Sequence, residues 1–338
     1  VTIISCAVFG AITGSAAATL TSIGSVMFPR LNASGYPRGY TSALLATSSV
    51  LGMLIPPSSI MILYAWVGNQ SVLASFLSTV IPGIILITLL CIINYFMLRK
   101  YTNIEVQAKM SFAEFTKAVG NRTKSASFAL LLPILVLGGI YGGIMTPTEA
   151  AAVAVLYAIP VGFLIYRGLK WKNFKEILIE SATTTGVIMV MLFGVMILSR
   201  IYVMEQLPDK ILDFLLSISD NKYVLLIMIN IFLIIIGMLM DDISGVLLTT
   251  PILLPIVVKL GVDPIHFAAI VGVNLGMGNV TPPTAPLLYL AGRLNKTPIN
   301  ETLYPTLIMI LFGWLPTLIL TTYIPELALF LPNLILSR

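Results

Sequence analysis

Charge is what this sequence has least of: Lys, Arg, Asp and Glu make up 10% of 338 residues, against 58% hydrophobic residues and a mean hydropathy of +1.00. Soluble domains carry about 25% charged residues, so the composition excludes an ordinary water-solvated fold and makes the lipid bilayer the chain's first partner. Cysteine and histidine are nearly missing, with Cys6 and Cys91 inside apolar stretches and His266 alone. That excludes a disulfide framework and any Cys/His metal spacing. No glycine-rich loop ending in Lys-Ser/Thr occurs, which removes direct ATP use. A basic leader with a short apolar region and a cleavage site is also missing; the chain opens at Val1 inside an apolar segment and reads as lacking an N-terminal part. The net charge of +5 does not point to nucleic acid, because the basic residues are split among short loops.

What is there is long apolar sequence. A spanning helix needs about 20 such residues, and 77–98, 126–145, 147–166, 182–204 and 302–324 read as plain spans. Segments 40–67 and 266–293 are each 28 residues long, but carry Gly52 with Pro56-Pro57 and Gly278 with Pro282-Pro283 near their middles. An unbroken helix of that length would reach about 42 Å, so each is expected to be interrupted. Segments 1–29 and 222–258 are interrupted by Gly14-Ser15 and Asp241-Asp242 and read as hairpins that enter and return. Segments 100–125 and 167–181 mix charge with Phe112, Phe115, Trp171 and Phe174, as interfacial amphipathic helices do. Cytoplasmic loops collect Lys and Arg. Placing loop 30–39 inside puts 14 of the 19 basic residues on that side, from Arg30 and Arg38 to Arg293 and Lys296, and leaves the C-terminus periplasmic.

Shifting the chain by 226 residues pairs Pro29 with Pro255, Gly52 with Gly278, Pro56-Pro57 with Pro282-Pro283 and Asn69 with Asn295; Ser48 then matches Asn274, and Ser58 matches Thr284. Five crossings separate the equivalent entries, so the repeats are expected to be inverted. The fold class is therefore all-α integral membrane, an inverted repeat with two re-entrant hairpins and two interrupted transmembrane helices. Paired breaks of this kind mark a transporter's binding site.

An unwound helix in lipid needs partners for its free backbone groups. Carbonyls at Leu51-Gly52 and Met277-Gly278, with the hydroxyls of Ser48, Ser58, Thr281 and Thr284, are hard oxygen ligands suited to sodium; half-helix N-termini suit a carboxylate. Asp241 and Asp242, deep in apolar sequence, are cation-site candidates, or one of them is a helix cap. Aspartyl-protease chemistry would need carboxylates on two spans. Glu149 in Thr146-Pro147-Thr148-Glu149 reads as a capping box, His266 as an exposed interfacial residue, and Arg30 and Arg293 as anchors, with Arg30 retained as a substrate candidate.

The runs Gly10-Ala11-Ile12-Thr13-Gly14-Ser15-Ala16, Pro56-Pro57-Ser58, Pro147-Thr148-Glu149-Ala150-Ala151-Ala152, Asp263-Pro264-Ile265-His266-Phe267 and Thr281-Pro282-Pro283 together resemble the large membrane (M, DctM-like) subunit of tripartite ATP-independent periplasmic (TRAP) transporters, over essentially the whole chain. The resemblance implies a sodium-driven elevator in the bacterial inner membrane. A periplasmic substrate-binding protein would deliver a C4-dicarboxylate, sialic acid or another small organic acid, and a small four-helix membrane subunit would widen the scaffold. It carries Ser15, Gly52, Ser58, Gly278 and Thr281 over to sodium coordination. Ser48 and Asp241 join that set from the residue reading, and Ser15, Asn274, Thr284 and Arg30 form the substrate set. The sequence departs from many members in having Thr284 after Pro-Pro, where they have glycine. The implied domains are a transport domain of 1–76 and 222–300 and a scaffold of 77–221 and 301–338. The runner-up function is a stand-alone sodium/dicarboxylate or anion symporter; a channel would show one continuous polar path in place of paired breaks.

Overall fold

The structure is a computed structural model that describes residues 1–99 and 112–336, with backbone alone for most of 112–125. Every regular element among them is helical. Helix α1 (Thr2–Thr13) ends where Gly14 turns left-handed at φ 62, and Ser15 caps the next helix by accepting the Ala18 N–H at 3.5 Å. Then follow α2 (Ala16–Ala33), α3 (Arg38–Ser49), α4 (Leu51–Leu54), α5 (Ser59–Val67) and α6 (Val72–Leu98). The arm from α3 to α4 bends by 46° against α5. Pro56 and Pro57 have no N–H to continue the ladder, and the helix stops before them.

Next come α7 (Phe112–Tyr141), α8 (Pro147–Pro160) running into a π turn at Val161–Ile165, α9 (Trp171–Met204) and α10 (Leu207–Ile218). Beyond them lie α11 (Lys222–Leu239), α12 (Asp242–Lys259), α13 (Pro264–Gly278), α14 (Pro286–Asn295), α15 (Ile299–Met309), a π turn at Ile310–Trp314, α16 (Leu315–Tyr323) and α17 (Pro325–Leu336). Pro316 removes a donor just after the second π turn, where such a bulge is expected. Six of these helical stretches are long and apolar enough to cross a membrane, or seven if the bent pair is one span.

Contacts divide the chain into two compact units, one of residues 1–104 with 192–338 and one of 105–191. In the smaller unit α7 packs on α8, the Tyr157 hydroxyl donates to the Phe128 carbonyl at 2.8 Å, and Phe163, Trp171 and Phe174 form an aromatic cluster. The expected capping box opens α8: Glu149 Oε2 accepts the Thr146 N–H at 2.8 Å, and Thr146 Oγ1 accepts the Glu149 N–H at 3.3 Å. Glu149→Ala is expected to lower stability by leaving the Thr146 N–H without its partner, read as a lower thermal-unfolding midpoint.

In the larger unit the helix bounds recur at the 226-residue offset, since α2 spans 16–33 and α12 spans 242–259, while α3 starts at 38 and α13 at 264. The packing is reciprocal. Helix α14 lies on α2 and α3, and α5 lies on α12 and α13; α15 covers α3 as α6 covers α13. The equivalent carbonyls of Pro264 and Arg38 are each bonded from the other repeat, though by non-equivalent donors: Tyr64 of α5 donates to Pro264 O at 2.6 Å and Asn295 of α14 to Arg38 O at 3.1 Å. Such exchange of equivalent contacts defines a pseudo-twofold axis. It passes the point where α13 crosses the first broken helix, because Gly276 meets Val50, its own counterpart.

Several expectations change. Segment 167–181 is no separate interfacial helix, because from Trp171 it runs unbroken into the following span; α9 has 34 residues, about 51 Å. Residues 100–111 lie outside the described residues, and 112–125 continue directly into the rest of α7. His266 is buried at 3% exposure, with Nε2 2.7 Å from the Thr321 carbonyl, because α13 packs against α16 from its first turn. Helices α11 and α12 are each 18 residues, long enough by length and composition to cross.

Candidate functional site

The turn between α1 and α2 packs on the first helix break, and the end of α11 packs on the second. At the first, Gly14 O accepts both the backbone N–H of Ser59 at 3.2 Å and its hydroxyl at 2.9 Å, so the tip is bonded to the N-terminus of α5. A side chain at Gly14 would run into Pro57 O, 2.6 Å away. Gly52 admits the same tip from the other side: a Cβ there would lie 2.8 Å from Ser15 O and 2.5 Å from Thr19 Oγ1. Thr19 Oγ1 in turn donates to Ser15 O at 2.8 Å. The first break therefore gathers Ser15, Gly52 and Ser58 with Ser59 and Thr19. Sequence reasoning singled out Ser58 of the adjacent serines; Ser59, at the first position of α5, is the one that bonds the tip.

At the second break α13 stops at Gly278 and α14 starts at Pro286, preceded by Ala285 in left-handed backbone at φ 34, a strained setting for a residue with a Cβ. Thr281 is spent locally, its N–H on Gly278 O at 3.0 Å and its hydroxyl on Met277 O at 2.6 Å. Of the carbonyls expected free, Met277 O is fully used, since it also accepts the Val280 N–H at 3.2 Å, whereas Gly278 O and Leu51 O, the latter from Ile55 N at 2.8 Å, each accept one bond and keep a second lone pair. Thr284 is exposed. Gly278 sits against Gly237 of α11, where a Cβ on Gly278 would be 2.5 Å from Gly237 Cα. Asp241 is exposed and caps α12, accepting the Ser244 N–H at 3.3 Å and the Ser244 hydroxyl, in the register where Ser15 caps α2. Among the described residues no backbone bond ties Met240 or Asp241 to the second break.

On the two broken helices and the turns that interrupt them, Ser48 Oγ, Ser58 Oγ, Asn274 Oδ1 and Asn279 Oδ1 are buried without hydrogen-bond partners among the described residues. Such groups cost about 1–3 kcal/mol each when left unpaired, and native proteins keep few of them. Asn274 is pinned through its amide, which donates to Asn230 Oδ1 and to Ile270 O, both at 2.8 Å; Asn230 donates onward to Thr322 Oγ1 at 3.0 Å. Its oxygen is thus aimed, and left over. Asn230 and Asn279 escaped sequence analysis because a lone amide in an apolar run carries no local signal. Arg30 is not brought to this site: it stands 15 residues from Ser15 at the other end of α2, about 22 Å away.

Asp241→Ala is expected to remove the cap and about 1 kcal/mol of stability, whereas Asp241→Asn keeps the cap. Sodium-dependent uptake lost in the Asn variant as well, at unchanged stability, would assign the carboxylate to the ion; retention would leave it a cap.

An all-helical, multi-pass membrane protein with two interrupted helices crossing at a pseudo-twofold axis is the class this fold defines. The sequence profile described as "Tripartite ATP-independent periplasmic transporter, DctM component" matches residues 1–327, and the chain belongs to that family. It is 36% identical over 329 residues to the isethionate TRAP transporter permease protein DctMQ of Oleidesulfovibrio alaskensis, covering 97% of this chain and 51% of that protein, so the chain spans about half the length of this relative. It is 33% identical over 333 residues to the C4-dicarboxylate TRAP transporter large permease protein DctM of Pseudomonas aeruginosa (98% and 76% covered). To the sialic acid TRAP transporter large permease protein SiaM of Vibrio cholerae it is 35% identical over 337 residues (100% and 78% covered).

Proposed function

We propose that this chain is the large permease subunit of a sodium-coupled uptake system for a small organic anion. The observation that carries the reading is the set of buried oxygens without partners on Ser48, Ser58, Asn274 and Asn279, which lie on the two broken helices and the turns that interrupt them. Hard neutral oxygens suit an alkali cation, and irregular backbone at membrane depth is tolerated where it lines a ligand cavity. Ser15, Gly52, Gly278 and Thr281 supply the surrounding backbone, and the half-helix N-termini at Ser59 and Pro286 offer positive dipole ends to the anion. Relatives named for a C4-dicarboxylate, sialic acid and isethionate, two carboxylates and a sulfonate, widen the substrate class from carboxylates to organic anions.

A periplasmic binding protein delivers the substrate, a small four-helix membrane subunit completes the scaffold, and residues 1–76 with 222–300 slide as an elevator against 77–221 and 301–338. In the bacterial inner membrane, loop 30–39 faces the cytoplasm and the C-terminus the periplasm. Proteoliposomes holding the membrane subunits test this directly. Uptake of an organic acid is expected only with an inward sodium gradient and the loaded binding protein. Uptake equally fast without that protein would sink the tripartite reading, and uptake indifferent to the gradient would sink sodium coupling.

A further inference from the structure

Helices α2 and α14 end, and α3 begins, at one edge of the larger unit. Asn295 ties them together, accepting from Asn32 Nδ2 at 2.7 Å and donating to Thr41 and Ser42 hydroxyls, each at 3.0 Å, as well as to Arg38 O. This brings four exposed basic residues to the same edge: Arg30 in the last turn of α2, Arg38 at the first position of α3, Arg293 in the last turn of α14, and Lys296 just beyond it. Arg293 and Lys296 line a cavity of about 340 Å³ with Tyr289, Thr297 and Ile299.

Helix capping does not account for these charges. The final carbonyls of α14 are already used, Gly292 O by Thr297 N at 2.9 Å and Arg293 O by Lys296 N at 3.3 Å. Arg38 stands at a helix N-terminus, where the macrodipole disfavours a cation. Among the described residues the only ion pairs are Lys210 with Glu205 and Lys259 with Asp209, so none of the four cations is paired. The carboxylate on the framing elements is Glu301, in the first turn of α15, and it forms no ion pair. Four cations therefore share this edge with one unpaired carboxylate, which leaves an excess of positive charge.

The position selects which anion. The apolar span Ile299–Tyr323 begins at the cavity wall, so the cavity lies where hydrocarbon gives way to headgroups. Tyr289, 46% exposed, and Ile299 give it an apolar side. We propose that this cavity binds the phosphate headgroup of an anionic phospholipid, held by Arg293 and Lys296 with Arg30 and Arg38 as a cationic rim and Tyr289 and Ile299 against the glycerol end. Guanidinium groups match phosphate oxygens two at a time, and basic pockets at this depth are suited to such headgroups. One lipid would then bridge the end of the first hairpin and the end of the second broken helix.

Native mass spectrometry of the full permease in detergent, titrated with phosphatidylglycerol, phosphatidylcholine or inorganic phosphate, tests the site. One phosphatidylglycerol is expected to bind at least about tenfold more tightly than phosphatidylcholine, with inorganic phosphate unable to displace it. Arg293→Gln with Lys296→Gln is expected to erase that preference at unchanged melting temperature, while Arg293→Lys with Lys296→Arg keeps most of it and Lys172→Gln with Lys175→Gln keeps all of it. Equal binding of the two lipids, an unaffected double-Gln variant, or displacement by millimolar phosphate would each overturn the proposal.

Discussion

Gly278→Ala and Gly10→Ala are each expected to cost at least about 1–3 kcal/mol and to abolish uptake, seen as a lower yield of folded protein and a melting midpoint several degrees down. The added methyl would meet main chain: 2.5 Å from Gly237 Cα in one case and 2.5 Å from Gly52 Cα in the other. Real Cβ atoms do not approach so closely, and backbone cannot swing aside as a lysine end can. The hairpin arm would have to move off the broken helix, opening the tip-to-break contact that the first site is built from. The matched control is Gly186→Ala or Gly194→Ala in α9, where a Cβ meets nothing within 4 Å; a helical Gly to Ala change there is neutral or stabilising by up to about 1 kcal/mol. Full activity and stability in both the Gly278 and Gly10 variants would refute the close packing described.

Ser48→Ala and Ser58→Ala separate ligand from scaffold in the opposite way. Both hydroxyls are buried and bonded to nothing, so their removal from the ion-free protein leaves no orphan behind and is expected to leave stability unchanged or raised. If each donates one oxygen to sodium, apparent sodium affinity falls by about tenfold, or about 1.4 kcal/mol, measured as the sodium dependence of uptake or as the loss of sodium-induced thermal stabilisation. Thr281→Ala differs because its hydroxyl bonds Met277 O, and there a stability loss is expected alongside any change in sodium dependence. Unaltered sodium dependence in all three variants would remove the hydroxyls from the site.

The breaks were legible in the sequence because prolines and glycines act locally: Pro56-Pro57 and Pro282-Pro283 stop a helix wherever the chain goes, and the 226-residue offset survives in the helix bounds. Contact partners were not legible. Tyr64 with Pro264 and Asn295 with Arg38 join residues 200 and 257 positions apart. Which end of Asn274 is open was not legible either: Asn230 and Ile270 take its amide N–H groups and leave its oxygen. Arg30 shares a helix with Ser15, but lies at the wrong end of it. His266 was misread as exposed because the helix that covers it, α16, follows much later in the chain. Likewise α10 and α17 escaped notice: α10 has only 12 residues and mixes Asp209, Lys210 and Asp213 into its apolar sequence, and α17 continues an apolar run in which only Pro325 marks the new start.

Where the two broken helices cross, Val50 faces Gly276, and a Cβ on that glycine would lie 2.7 Å from Val50 Cγ1 and 3.0 Å from Trp314 Cη2. A residue beside a twofold axis meets its own copy. Two valines at this spot would overlap, and two glycines would leave a hollow at the crossing. Unlike residues at this spot are a steric requirement of the crossing, and they leave the two breaks unequal from the axis outward.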